Sequence, residues 1–268
     1  MEKRHRDMAY AMKKKILELA HNASPNGVHV GGALSCVEIF VVLADILNFT
    51  GNTDRDRLIL SKGHGALSLY TAMWQKGLID DDLINSFDRD SEGLHVHPTR
   101  DISRGIEVSG GSLGLGLSYA VGQAYVLKNY SPETKVHCIV GDGELDEGIV
   151  WEALMSAANY HLSNLTVTVD RNNAQIDGST DEVMSLGSVK DKLEAFGFDV
   201  YEVNGHDIDS LFEAYSHPIG DKPKAVIATT VKGNGIDFLT NTKESHFGVM
   251  TDKKYSKAVA QTEAYYED

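Results

Sequence analysis

The segment 136–178 constrains the fold more than any other part of the chain, because it contains a complete strand–helix–strand pattern. Its first part, residues 136–140, is a continuous apolar run of the kind that forms a buried strand. Residues 148–161 then carry apolar side chains at helical spacing, and residues 165–169 form a second apolar run. A unit of this kind joins two parallel strands. We therefore expect an α/β domain with a mostly parallel sheet flanked by helices.

Oxygen-bearing side chains follow both strands of this unit. Asp142 lies between Gly141 and Gly143 directly after the first strand, and Asn172 follows the second. The carboxyl ends of neighbouring parallel strands lie side by side, so these two side chains should meet. A carboxylate and an amide oxygen suit Mg²⁺ or Ca²⁺, and a Mg²⁺ site usually keeps positions open for phosphate oxygens. The sequence therefore predicts a metal site, with the N-terminus of the following helix directed at the same place.

Apolar periodicity also predicts elements on both sides of this unit. It indicates helices at residues 7–20, 36–47, 66–75, 190–196 and 208–215, and strands that begin near residue 57 and cover 198–203 and 224–231. The helix at 36–47 is apolar almost all round, so it should be buried in a core or in a subunit interface.

Composition narrows the class of protein. The chain has 268 residues, with 25 Lys and Arg against 39 Asp and Glu, for a net charge of −14. This charge argues against nucleic acid or an anionic membrane as a partner. No apolar run reaches the roughly 18 residues that a membrane span needs, and the N-terminus lacks the apolar core of a signal peptide. Cys36 and Cys138 form no Cys-x-x-Cys pattern, so we expect two reduced packing cysteines in a cytoplasmic protein.

The spacing between Gly-Asp-Gly and the later asparagine resembles the thiamin diphosphate-binding signature. The longer words GDGELDEG, WEALMSAANYHLSNL and VDRNNAQIDG resemble the first domain of transketolase. The resemblance covers roughly residues 10–250. It implies that residues 1–268 form one diphosphate-binding domain, and the polar, acidic residues 261–268 predict a loose tail. It also implies an enzyme that moves a two-carbon ketol unit from a ketose to an aldose, with sugars or sugar phosphates as substrates.

The resemblance implies a metal and diphosphate site around the central turn. Asp142, Asn172 and the backbone carbonyl of Ala174 would ligate Mg²⁺ or Ca²⁺. Gly143 would donate its amide to the diphosphate, and Gly141 would belong to the same cofactor-binding turn.

The resemblance also assigns the glycine-rich loop 109–116 to the cofactor rings. Gly111 and Leu113 would contact the aminopyrimidine and thiazolium rings, and Ile176 would join Leu113 as an apolar wall. Glu147 would couple the two cofactor sites of a dimer. A Rossmann loop fits these glycines poorly, because they do not follow Gly-x-Gly-x-x-Gly and no convincing strand precedes them. A nicotinamide-dependent dehydrogenase is therefore the weakest alternative.

Four histidines stand in contexts that match the family: His29, His64, His97 and His246. They would supply hydrogen bonds and proton transfers to the substrates, and His64 would also reach the diphosphate. Histidine suits this work because its pKa lies near neutrality.

Three further residues, His95, Val96 and His206, raise separate questions. Val96 replaces the glycine that the family has before the histidine-proline pair, which leaves the shape of this loop open. It is also open whether His95 shares the role of its neighbour. His206 occurs in the family pattern too, but a capping or turn role is the simplest prediction for it.

A complete transketolase has three domains, and no stretch of this chain resembles the second or the third. The second domain holds the glutamate that activates the cofactor. We therefore expect a separate C-terminal subunit, most simply in an α2β2 heterotetramer. Because the family's active site lies between subunits, we expect the helix at 36–47 to lie at such an interface.

Alternative functions remain at this stage. The chain could be half of another thiamin diphosphate-dependent carboligase, or the α chain of a 2-oxoacid dehydrogenase first component. A non-catalytic, partner-binding relative is the alternative from a different class. The retained metal ligands and histidines argue against it, because a scaffold does not need them.

Overall fold

The computed structural model describes residues 3–51, 54–89, 93–218 and 220–267, without the side chain of Lys243. These residues form five strands, β1 to β5: Arg57–Leu60, Val136–Gly141, Leu165–Arg171, Asp199–Asn204 and Lys224–Thr229. They also form eleven helices, α1 to α11: Lys3–Asn22, Gly31–Leu34, Val37–Ile46, Ala66–Gln75, Asp81–Asn85, Leu115–Tyr130, Gly148–Asn159, Thr180–Met184, Val189–Phe196, Ile208–Ser216 and Asp252–Glu267. The elements predicted from periodicity are confirmed, with ends shifted by up to about one turn.

All five strands are parallel and lie in the order β1-β2-β3-β5-β4. Gly141 at the end of β2 pairs with Asp170 of β3, and Asp170 pairs with Ala228 of β5. The carboxyl ends of these strands are therefore level, as the strand–helix–strand pattern predicted. Asp142 and Asn172 follow directly, so the topology brings them to one edge of the sheet.

Helices cover both faces of the sheet, which explains why its strands read as continuous apolar runs. Leu58 and Leu60 of β1 belong to one apolar cluster, with α1, α3, α4 and α10. Ile59 between them belongs to the opposite cluster, with α6, α7 and α9. This layering confirms the predicted α/β fold class. Among the helices that the structure describes, none combines the length and apolar character needed to cross a bilayer.

Helix α3 corrects the prediction of a subunit interface at residues 36–47. Its side chains are covered by this chain itself, and Ile39, Phe40 and Val41 are fully buried. The helix packs between α1, α4 and α10. An all-round apolar helix must be buried, but the pattern does not indicate which molecule buries it. Here the chain's own helices do.

Helix α11 corrects the prediction of a loose tail at residues 261–268. Residues 261–267 form its last turns, and α11 packs along α1. Ala258 and Thr262, one turn apart, are buried on the inner face. Glu263 pairs with Lys14 of α1 at 3.1 Å. The segment was mistaken for a tail because only a narrow stripe of a largely polar helix meets the core.

Candidate cofactor and substrate site

A cavity of about 300 Å³ opens at the carboxyl edge of the sheet, where β1, β2, β3 and β5 end. The residues around it come from several loops that are far apart in sequence. Its lining consists of His29, Gly32, His64, His97, Gly111, Leu113, Gly141, Asp142, Gly143, Glu144, Asn172, Ala174, Gln175, Ile176, Asp177, Lys232 and His246. Of all the residues that the sequence nominated for a site, only Glu147 is outside this lining.

Asp142 and Asn172 meet at the floor of the cavity. The Asp142 carboxylate accepts hydrogen bonds from the backbone N–H of Gly143, at 2.9 Å, and of Asn173. The Asn172 side-chain oxygen accepts from the Ala174 N–H at 3.2 Å. Burial and the nearby carboxylate of Asp170 raise the pKa of Asp142 to about 6. A buried carboxylate in this setting favours a bound cation.

The donor set fits a hard metal ion that shares its coordination with a ligand. It offers the Asp142 carboxylate, the Asn172 amide oxygen and the Ala174 carbonyl, all of them oxygens. Among the described residues, no group of three or more His, Cys, Asp and Glu side chains could hold a metal by itself. A site of this composition needs further oxygens, such as those of a diphosphate.

A fully buried ion pair lies next to the proposed metal ligands. Lys62 and Asp170 contact each other, and Asp170 also accepts hydrogen bonds from Ser35, at 2.6 Å, and from Thr230. Burial opposes both charges, but Asp170 keeps the pKa of Lys62 above its usual value, and Lys62 keeps that of Asp170 below its own. The pair joins the ends of β1, β3 and β5. Sequence reasoning missed it, although a charged residue at the end of an apolar strand was an available signal.

Glu144 fixes the glycine-rich loop against the sheet. Its carboxylate accepts from the Ser61 hydroxyl, from the Gly114 N–H at 2.6 Å and from the Gly141 N–H at 3.0 Å. Burial raises the pKa of Glu144. Gly116 lies so close to Ser61 that a Cβ would come within 2.6 Å of its Cα. This tight contact explains the need for glycine there, and the sequence analysis did not identify Glu144.

All four nominated histidines converge on the cavity. The ring centroid of His29 lies 5.2 Å from those of His97 and His246, and 6.0 Å from that of His64. Burial and the charges of His246, His97 and Lys232 lower the pKa of His29 to about 4. Burial and the charge of Lys232 also lower the pKa of His246 to about 4. Burial and the charge of Lys62 keep the pKa of His64 well below its usual value. These three rings are therefore neutral at pH 7.

Lys232, in the loop after β5, is a member of the site that the sequence analysis did not nominate. Its ammonium lies 3.2 Å from Nδ1 of His246 and donates to the Ala174 carbonyl at 3.4 Å. The side chain is 3% exposed. Burial and the charge of Lys62 lower the pKa of Lys232 to about 8.

Five other residues from the sequence analysis lie in four different places. Leu113 and Ile176 both line the cavity, where Ile176 is 59% exposed and supplies apolar surface. Glu147 occupies the N-cap position of α7 without a side-chain capping hydrogen bond, and its exposed side chain does not line the cavity. His95 lines a different cavity, beside Tyr70, whose hydroxyl donates to the His95 carbonyl at 2.9 Å. Val96 packs against the larger apolar cluster.

Comparison with known proteins supports one family. A model described as "Transketolase, thiamine diphosphate binding domain" matches residues 7–263. The chain is 36% identical over 256 residues to one subunit of the apulose-4-phosphate transketolase of Phocaeicola vulgatus, covering 93% of this chain and 90% of that one. It is 37% identical over 243 residues to the 6-deoxy-6-sulfo-D-fructose transketolase subunit SqwG of a Clostridium species, covering 88% of each.

Solved structures share the fold. The transketolase of Campylobacter jejuni superimposes with a TM-score of 0.85 at 29% identity. The match covers 96% of this chain and 43% of that one, so the chain spans less than half the length of this solved transketolase.

Proposed function

Because this chain belongs to the family of transketolase thiamin diphosphate-binding domains, we propose that it is the diphosphate-binding subunit of a two-chain transketolase. The complete enzyme transfers a two-carbon ketol unit from a ketose or ketose phosphate to an aldose or aldose phosphate. One observation carries this proposal. Asp142, Asn172 and Ala174, whose oxygen atoms are suited to bind a metal ion, line the same cavity as four histidines. A 2-oxoacid dehydrogenase component or a scaffold gains no support from that combination.

We assign the floor of the cavity to the metal and the diphosphate. Asp142, Asn172 and the Ala174 carbonyl hold Mg²⁺, or Ca²⁺ in its place. Gly143 donates its backbone N–H to the diphosphate, and the Lys232 ammonium adds a positive charge. Thiamin diphosphate, when bound, would supply the carbon nucleophile for ketol transfer.

The upper walls of the cavity receive the cofactor rings and the sugars. Leu113 and Ile176 would exclude water from one side of the thiazolium ring, and Gly111, with no atom within 4 Å of its Cβ position, would leave room for the aminopyrimidine. The histidines hold the hydroxyls and carbonyl oxygens of donor and acceptor. Among the residues that the structure describes, the buried Nδ1 of His29 has no hydrogen-bond partner. An unpaired N–H is the less favourable state, so we place the His29 proton on Nε2. His29 then acts as a hydrogen-bond donor.

The surface supports an assembly of several subunits. Helices α6 and α7 expose large apolar side chains on neighbouring turns, among them Tyr125, Val126, Met155 and Tyr160, each about half exposed. Apolar surface of this extent usually marks a protein contact. Glu147 stands at the N-terminal end of α7, and we propose that a second copy connects it to another cofactor site. We propose an α2β2 assembly in which a separate C-terminal subunit supplies the cofactor-activating glutamate.

Two further points of the function are proposals. The relatives act, by their names, on apulose-4-phosphate and on 6-deoxy-6-sulfo-D-fructose. We propose an anionic sugar of this kind as substrate, in the pentose phosphate pathway or a specialised sugar pathway. Cys36 and Cys138 are free and buried, which supports a cytoplasmic location.

Alanine at the substrate-facing histidines should separate sugar turnover from cofactor binding. His29→Ala and His97→Ala should each lower kcat/KM by about 10²-fold, because they remove hydrogen bonds to the reacting sugar. His64→Ala should also weaken cofactor affinity. The measurement is steady-state kinetics of the assembled enzyme with a ketose phosphate and an aldose phosphate. His95→Ala is the matched control and should leave kcat/KM unchanged. Wild-type kinetics in all three cavity variants would contradict the assignment.

The contribution of His29 and His246 to the stability of the metal-free chain should become unfavourable as the pH falls from 6.5 to about 4. The native pKa values of His29 and His246 are depressed, so the unfolded chain binds protons first and acid favours unfolding. The contribution of His29 is on the order of 2 kcal/mol at the acid end of this range. Urea unfolding at several pH values would measure it. His29→Asn should reduce the pH dependence, whereas His161→Asn, at an exposed histidine, should not. Equal slopes for wild type and His29→Asn would contradict the prediction.

A further inference from the structure

His206 lies in the turn before α10, as expected, and its backbone N–H donates to the Asn204 side-chain oxygen at 3.0 Å, but it does not cap the helix. The cap of α10 is Asp207, whose carboxylate accepts from the N–H of Asp209 at 3.0 Å. The His206 ring is turned inward instead, and its side chain is 13% exposed. Its contacts are with α3 and with the loop that follows β5.

The partners of His206 determine where its proton lies. The backbone N–H of Val231 donates to Nε2 at 2.8 Å, so Nε2 carries no hydrogen. Nδ1 therefore carries the proton and donates to the Glu38 carboxylate at 2.9 Å. The Asn234 amide lies 2.9 Å from the same Nδ1, which requires that its oxygen, rather than its nitrogen, faces the ring.

The carboxylate that receives this proton is held firmly in the interior. The side chain of Glu38 is 5% exposed, and the Lys13 ammonium of α1 lies 3.0 Å from its Oε1, although off the line of a hydrogen bond. Burial opposes its ionisation, yet Lys13 and His206 lower the pKa of Glu38 to about 2. Lys13 also lies over the Tyr265 ring of α11, 4.5 Å from its centroid. Glu38 is thus a fixed, charged acceptor.

The loop after β5 carries a member of the candidate site. Val231 and Asn234 both contact His206, and Lys232 lies between them in the sequence. The Lys232 ammonium reaches the Ala174 carbonyl and His246. A displacement of the Val231 backbone moves Lys232 directly, because the two residues share a peptide bond.

We propose that His206 is a positioning residue that links Glu38 to the Val231–Asn234 loop and thereby holds the Lys232 ammonium at the diphosphate end of the cavity. The inference rests on the proposed function only for the role of Lys232 toward the diphosphate. The placement of Lys232 by His206 is a property of this chain without cofactor.

Two variants of His206 separate its two hydrogen bonds. In His206→Gln the side-chain oxygen can reach the place of Nε2 and still accept from Val231. In His206→Asn the shorter amide can reach the place of Nδ1 and contact Glu38, but the acceptor for Val231 is lost. Calorimetric titration of thiamin diphosphate with Mg²⁺ into the assembled enzyme should give about tenfold weaker binding for His206→Asn and a smaller loss, of about threefold, for His206→Gln, which keeps the acceptor for Val231 but loses the bond to Glu38. His217→Asn, at the end of the same helix, is the control and should bind like wild type.

A double-mutant cycle distinguishes positioning from general loosening of the fold. If His206 acts through Lys232, adding His206→Asn to the Lys232→Met variant should weaken binding by less than about twofold. A full tenfold loss in that background would overturn the proposal.

A crystal structure of the metal-free His206→Asn chain gives a readout that needs no cofactor. Displacement of the Lys232 ammonium from the Ala174 carbonyl is expected, and an unmoved ammonium would overturn the proposal. If Lys232→Met alone binds cofactor like wild type, the diphosphate role of Lys232 fails. Displacement of Lys232 in His206→Asn would still support the positioning role.

Discussion

Replacing Asp142 with alanine should abolish metal-dependent binding of thiamin diphosphate while the fold survives. Asp142 is the only carboxylate among the three proposed metal ligands, so its removal leaves two neutral oxygens for a divalent cation. The expected loss of cofactor affinity is several kcal/mol, which is about 10²-fold or more. Calorimetric titration of the cofactor with Mg²⁺ into the assembled variant enzyme measures it. Unchanged affinity would remove Asp142 from the site.

Asp142→Asn tests the same role without removing the acceptor for the neighbouring backbone amides. Because the pKa of Asp142 is raised to about 6, ionisation of this carboxyl at pH 7 disfavours the metal-free native state. The neutral asparagine should therefore raise the melting temperature of the metal-free chain, even though cofactor binding is lost. Asp146→Asn, in the same turn, is the control and should preserve metal-dependent binding. A lower melting temperature for Asp142→Asn would show that the carboxylate is structural.

The chain alone should not activate thiamin diphosphate, and the added partner should. Under the proposed function, the glutamate that hydrogen-bonds the aminopyrimidine is supplied by the separate C-terminal subunit. Hydrogen–deuterium exchange at C2 of thiamin, measured with Mg²⁺, reports the activation directly. Addition of the partner should accelerate exchange by about 10²- to 10⁴-fold, the usual range for a positioned proton-transfer group.

Two control variants test whether the acceleration depends on the bound cofactor and on assembly with the partner. The partner mixed with the Asp142→Ala chain should give no acceleration, since the cofactor is not held. Val126→Asp, on the exposed face of α6, should weaken assembly at low protein concentration without changing the cavity. If the chain alone accelerates exchange as strongly as the complex, an acid within this chain performs the activation and the two-chain proposal is wrong.

The apolar pattern alone determined the central architecture. Residues 136–140 and 165–169 read as buried strands joined by a helix, and right-handed crossover connections leave few ways to pair them. That rule by itself places Asp142 and Asn172 at one edge of the sheet, where the structure has them. Local sequence was also enough to nominate four histidines that line the cavity: His29, His64, His97 and His246. Each histidine stands within two positions of a glycine or a proline, in a short local pattern that the family shares.

Only the tertiary structure decided which surfaces are covered and which polar groups pair. Helix α3 is apolar all round, and no local pattern states that α1, α4 and α10 enclose it. The same holds for α11, whose buried stripe is defined by α1. Glu38 and His206 are 168 positions apart, and Lys62 and Asp170 are 108 apart. Such pairs form because burial makes an unpaired charge or N–H costly, but their partners are selected by the packing of distant elements, which local periodicity does not encode.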